Sequence, residues 1–195
     1  MSQKFWEWAF KVSNSAYRWT ESAERLKHSA DLLFGEYFRF CSLSPEEQAE
    51  TEDSKVAGVA TLLYGLAMEN ILKAVLLKER IAKVETDGRV CWNVDGATRH
   101  DLVSMCKSSG FVSLDAQQEK LMERMSAFVY WAGKYPTPLA LRNKKDYQGL
   151  LLSNQPSAGS EMTPVEFGFE DKDSFEALYR ALWKRAVGAI RRRKT

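Results

Sequence analysis

The spacing of apolar residues along this chain predicts five helices. The longest apolar run is Val56 to Arg80, VAGVATLLYGLAMENILKAVLLKER, which holds no proline and is long enough for about seven helical turns. At helical spacing Leu62, Leu66, Glu69, Lys73 and Leu76 share one stripe, while Val59, Leu63, Ala67, Ala74 and Leu77 cover the neighbouring faces. A helix apolar nearly all round belongs at the centre of a fold. A carboxylate and an ammonium four residues apart, where leucines are expected, are its irregularity.

Upstream, Ser15 to Phe40 reads as a long helix whose seam is Ala16, Trp19, Ala23, Leu26, Ala30 and Leu33, with Glu21, Glu24, Lys27 and Asp31 on other faces. Before it lies an aromatic cluster, Phe5, Trp6, Trp8 and Phe10, suited to capping the bundle or to self-association. Ser42 to Asp53 is acidic with one proline, a linker with room for a single helical turn. After the central run, Val90, Trp92 and Val94 alternate with polar residues between Asp87-Gly88 and Asp95-Gly96, and Val165, Phe167 and Phe169 alternate likewise; the two segments are expected to pair as a ribbon. A third helix is expected from Thr98, with Asp101 completing a capping box, to Gly110. A fourth runs from Ser113 to the Tyr135-Pro136-Thr137-Pro138 stop. Residues 139–172 read as a loop-rich excursion, and a last helix covers 173–191. The fold class expected is all-α: one domain over 1–195, an up-and-down bundle of four or five helices with a small β-ribbon or loop elaboration, its core in 15–138 plus the last helix.

The 45% hydrophobic content supplies such a core. Glu69 and Lys73 interrupt the only stretch that approaches a membrane span, and the start of the chain lacks the pattern of a signal peptide, so a cytoplasmic protein with no membrane contact is expected. Cys41, Cys91 and Cys106 are odd in number and lack CxxC spacing; with only His28 and His100 they build no zinc site, and buried free thiols are expected. The net charge of +2 hides seven basic residues and no acid after Tyr179, which leaves −5 on the first 179. That basic end suits phosphates, or simply a helix C-terminus.

No GxSxG, glycine-rich phosphate loop, HExxH or calcium loop occurs, and neither a metal nor a cofactor is expected. His100, between Arg99 and Asp101 at a predicted helix start, suits anion binding beside backbone N–H groups, general-base chemistry, or a structural hydrogen bond. Glu69 and Lys73, if buried, need further partners such as Arg99, Lys134 or Tyr135. They make either a site or a structural polar knot.

Four segments together resemble the HEPN family, the higher-eukaryote-and-prokaryote nucleotide-binding domains. They are the alanine- and leucine-seamed first helix, AMENILKAVL (Ala67 to Leu76), TRHDLVSM (Thr98 to Met105) and WAGKYPTP (Trp131 to Pro138). Glu69, Leu72, Lys73 and Ala74 match the family's E-x-x-L-K-A, and His100, Asp101 and Leu102 its HDL; Lys134 replaces the arginine of its RYP ending. The resemblance implies a helical bundle, usually dimeric, that binds nucleotide or RNA and often serves toxin–antitoxin or phage-defence systems. Many members are metal-independent ribonucleases with an R-x(4–6)-H motif, which this chain lacks at both His28 and His100. The expectation is therefore a homodimeric binder of nucleotide or RNA through Glu69, Lys73, Arg99, His100, Lys134 and Tyr135, without catalytic residues. Two alternatives stand: a regulatory subunit whose protein partner is encoded nearby, and a ribonuclease with a divergent site around His100.

Overall fold

A computed structural model describes residues 14–50, 56–98, 100–132 and 167–188, with positions 4, 5, 8, 9 and 12 upstream. The elements are α1 (Ala16–Cys41), α2 (Pro45–Ala49), α3 (Val56–Lys78), β1 (Lys83–Val84), β2 (Val90–Cys91), α4 (Leu102–Ser109), α5 (Ala116–Ala127) with a π-helical continuation Phe128–Ala132, and α6 (Phe169–Val187). The protein is all-α, with one small antiparallel ribbon among the described residues.

The apolar run does become the central helix. Fourteen of the 23 residues of α3 are buried, on all sides, because α1 covers one flank while α4, α5, the π-helical segment and α6 cover the others. By length and composition α3 could cross a membrane; instead 72% of its most apolar window is buried within this chain, which is compatible with a soluble protein.

Local chemistry sets the ends of the elements. Ser15 accepts the Arg18 N–H to start α1, and Ser44 with Glu47 forms the capping box of the single-turn α2. The third helix starts later than the Thr98 box implied: Asp101 itself is the N-cap of α4, and Gly110 ends that helix in the left-handed region (φ 65°). Asp115 and Gln118 box the start of α5, two residues beyond the expected Ser113. Two further expectations are overturned. The ribbon pairs Lys83 with Cys91 and Val84 with Val90, a local hairpin closed by the 85–89 turn, rather than reaching to Phe167. Phe169 opens α6, four residues before the expected start, because Gly168 N–H donates to Asp171 at 2.8 Å and fixes the first turn there. Of the thiols only Cys106 is buried, its pKa pushed up to about 12 first by burial and then by Asp101; Cys41 and Cys91 are exposed. The stop at Tyr135-Pro136 lies outside the described residues, as do Trp6 and Phe10; Phe5 and Trp8 are described and exposed.

Aromatic and polar contacts dock α6. Phe167, Phe175 and Tyr64 pack ring on ring, and Thr61 on α3 accepts the Phe167 N–H at 2.9 Å. Around them runs a network from three helices. Lys27 lies 2.8 Å from Asp31 and 2.6 Å from Glu176, while Lys172 bonds Asp31, Glu176 and the Tyr64 hydroxyl, which itself donates to Asp31 at 2.8 Å. Burial opposes charge on Asp31 and Glu176, yet the lysines prevail and hold both carboxyls below the usual range; Lys27 is likewise raised despite burial, by Asp31 and Glu176.

Carboxylates with depressed pKa contribute stability that is complete above their unfolded values and lost as pH falls through the folded ones; a raised lysine contributes stability that is lost as pH climbs past its unfolded value. Unfolding free energy from urea titrations is therefore expected to be level between about pH 5 and 9 and to fall on both sides. Asp31→Asn with Glu176→Gln is expected to make the acid limb shallower. A second expectation concerns Gly65, where an added Cβ would meet Val129 Cγ2 at 2.6 Å and the Met125 carbonyl at 3.0 Å. Gly65→Ala is expected to cost about 1–3 kcal/mol in the same titration, since backbone cannot yield as a side chain does.

Candidate functional site

The site grows from the irregularity in α3. Glu69 and Lys73, one turn apart, are 3% and 8% exposed, so the spacing that put them on an apolar stripe does take them inside. A lone buried charge of either sign would neutralise itself or unfold the helix, so each needs compensation. Lys73 Nζ donates to Glu69 Oε1, and the other carboxylate oxygen lies 2.8 Å from His100 Nδ1. In the tautomer whose Nδ1–H donates to this carboxylate, Nε2 is left for another partner.

The loop before α4 delivers that histidine. Gly96 adopts φ +84° so close to α4 that a Cβ would strike the Asp101 carbonyl at 2.5 Å, and the Asp101 N–H donates back to the Gly96 carbonyl at 3.1 Å. Closing so tight a loop holds His100 in the left-handed region, φ 58°, which few residues with a Cβ adopt. Its ring thus reaches inward to α3. At the α4 N-terminus Asp101 accepts the Ser104 N–H at 2.9 Å and the Ser104 hydroxyl at 2.6 Å, and Ser126 Oγ takes the Leu102 N–H. The chain's own groups already satisfy those donors.

Lys73 instead faces the other way, into a cavity of about 430 Å³ between α1 and the hairpin. Its ammonium sits 5.3 Å from the Trp19 ring centroid and 5.2 Å from that of Trp92, two indoles that meet edge to face at 5.5 Å. Each cation–π contact offsets about 0.5–2 kcal/mol of the cost of burying the group. The rim is the 85–89 turn. Asn14 Nδ2 donates to the Gly88 carbonyl at 3.0 Å and ties the turn to the start of α1, while Arg89, its side chain 83% exposed, holds Asp87 at 2.6 Å. The backbone N–H and guanidinium of Arg89 both bond Asp87 and keep its carboxyl below the usual range.

Of the six residues expected at the site, Glu69, Lys73 and His100 come together; Arg99, Lys134 and Tyr135 lie outside the described residues. Sequence reasoning assigned Trp19 to a helix seam and Trp92 to a strand, and gave Asn14 and Arg89 no role at the site. Two tryptophans 73 residues apart carry no joint signal until the hairpin folds over α1. Among the described residues no group of acids, histidines and cysteines is arranged to hold a metal. Comparison with known protein families, with curated proteins and with solved structures returns no match for this chain.

If the pair is the compensated unit described, replacing one member strands the other. Glu69→Met and Lys73→Met are each expected to cost about 3–5 kcal/mol, and the double variant to cost less than their sum by about 1–3 kcal/mol, measured by urea unfolding as a double-mutant cycle. Additive losses would mean that the two charges do not depend on each other.

Proposed function

We propose that this chain is a HEPN-like helical module that binds a nucleotide or an RNA phosphate in the Lys73 cavity without cutting it. The observation that carries this reading is the ammonium of Lys73 at the inner wall of a cavity of ligand size, flanked by two indoles. Glu69 takes one of its three donors, and the others are available to an oxyanion. An indole face adds about 1–3 kcal/mol for each base it stacks, and Arg89 at the mouth, paired with Asp87, offers its remaining guanidinium N–H groups for a second contact. The reading extends to a cytoplasmic homodimer serving a toxin–antitoxin or phage-defence system, as the family resemblance implies.

Isothermal titration with mono-, di- and triphosphate nucleosides and short RNAs tests it. Saturable binding is expected, weakening several-fold with rising salt and in Arg89→Ala, and at least about tenfold in Trp92→Ala. If no member of the panel binds at millimolar concentration, or both variants bind as the parent does, the reading fails. RNA cleavage lost in His100→Ala would instead favour a nuclease, for which a histidine held by Glu69 at 2.8 Å is a fitting base.

A further inference from the structure

One glycine in α1 has no explanation within the chain itself. Gly35 stands exposed in the interior of the helix Ala16–Cys41, and a Cβ added to it would meet nothing within 4 Å. Alanine would fit there and hold the helix better, because glycine gives up more backbone freedom on folding. One turn to either side the residues are large and apolar. Leu32 is 60% exposed and Phe38 57%, and Phe169 of α6, also exposed, lies edge to face against Phe38 at 5.0 Å. A single exposed apolar residue is ordinary on a surface, but here a notch without a side chain lies between two of them on one helix face.

Read outward from Gly35, the face is complementary to itself. Three residues back is Leu32 and three ahead is Phe38; four back is Asp31 and four ahead is Arg39. All five positions share one side of the helix. A two-fold axis through Gly35, perpendicular to α1, lays the helix antiparallel on a second α1 and brings each position onto the one equally far beyond the axis. Leu32 then meets Phe38 of the second copy, and Asp31 meets Arg39. Gly35 meets Gly35 with no Cβ between them, so the helix axes approach closely enough for the apolar side chains to interlock. A parallel pairing would instead set Arg39 against Arg39 and Asp31 against Asp31. Asp31 already takes Lys27, Lys172 and the Tyr64 hydroxyl, three contacts where a carboxylate can accept about four, and the exposed Arg39 side chain pairs along the helix with Glu36.

We propose that the Leu32–Gly35–Phe38 face of α1 docks a second copy of this chain, antiparallel about a two-fold axis at Gly35. The proposal rests on the homodimer of the reading above and names the surface through which it forms. It asks nothing of the Lys73 cavity, whose wall residue Trp19 stands 16 positions away, about 24 Å along the helix.

Sedimentation velocity of the full chain at micromolar to submillimolar concentrations is expected to show a reversible dimer. Gly35→Lys, which has open space in a single copy, and Leu32→Glu are each expected to weaken the dimer at least about tenfold with the helical circular dichroism unchanged, and Arg89→Ala to leave it as it is. With Cys41 and Cys91 changed to serine, Gly35→Cys is expected to form an intermolecular disulfide to itself under mild oxidation, whereas Tyr17→Cys, exposed on the same helix but far from the axis, is not. A dimer that survives Gly35→Lys and Leu32→Glu, or that cross-links through Tyr17→Cys and not through Gly35→Cys, overturns this surface while the homodimer stands. A chain that remains monomeric throughout overturns both, and nucleotide titration of that monomer decides the cavity separately.

Discussion

Two opposite charges inside the most apolar helix are the constraint on which the site depends. An isolated ammonium or carboxylate at that depth is untenable, so what packs against the middle of α3 must supply polar atoms or π faces at fixed positions. α1 supplies Trp19, the hairpin supplies Trp92, and the loop before α4 supplies His100. The last of these comes at a conformational cost, a left-handed backbone at a residue with a Cβ, sustained by the tight Gly96 turn packed on α4. Three connections that are remote in sequence are thus tied to a single turn of one helix.

The opposite side of α3 solves a different problem. There the docking of α6 relies on aromatic packing, with charges kept to its border, where Lys27, Asp31, Lys172 and Glu176 share protons and partial solvent. Asp171 does double duty, capping the first turn of α6 and bonding Arg124 of α5, so the start of α6 is tied to two neighbours at once. One face of the central helix is specified by a few polar atoms and the other by ring geometry.

Much of the bundle was legible because it rests on short-range signals. Ser15 before Ala16, Gly110 after Ser109 and the uninterrupted apolar run of α3 mark their elements by local chemistry and periodicity, and burial of Glu69 and Lys73 followed from the phase of one helix. What was misread depended on choices between local and distant partners. Val84 was available to Val90 through a turn of few residues, so the hairpin closed locally at less entropy than pairing with Phe167 would cost. Asp101 and Asp171 each took the capping role that residues a few positions away were expected to fill. The two tryptophan walls of the Lys73 cavity belong to tertiary structure alone.

The order in which the chain is made bears on α3. By length and composition its 23 residues could cross a bilayer, and the element that seals one flank is the last helix described. At roughly 5–20 residues per second, the stretch from Lys78 to Val187 keeps that flank waiting for about 5–20 seconds of synthesis. During that interval α1, already emerged, shields part of a segment that translocation machinery or a chaperone would recognise, and the two embedded charges make membrane insertion the less favourable fate.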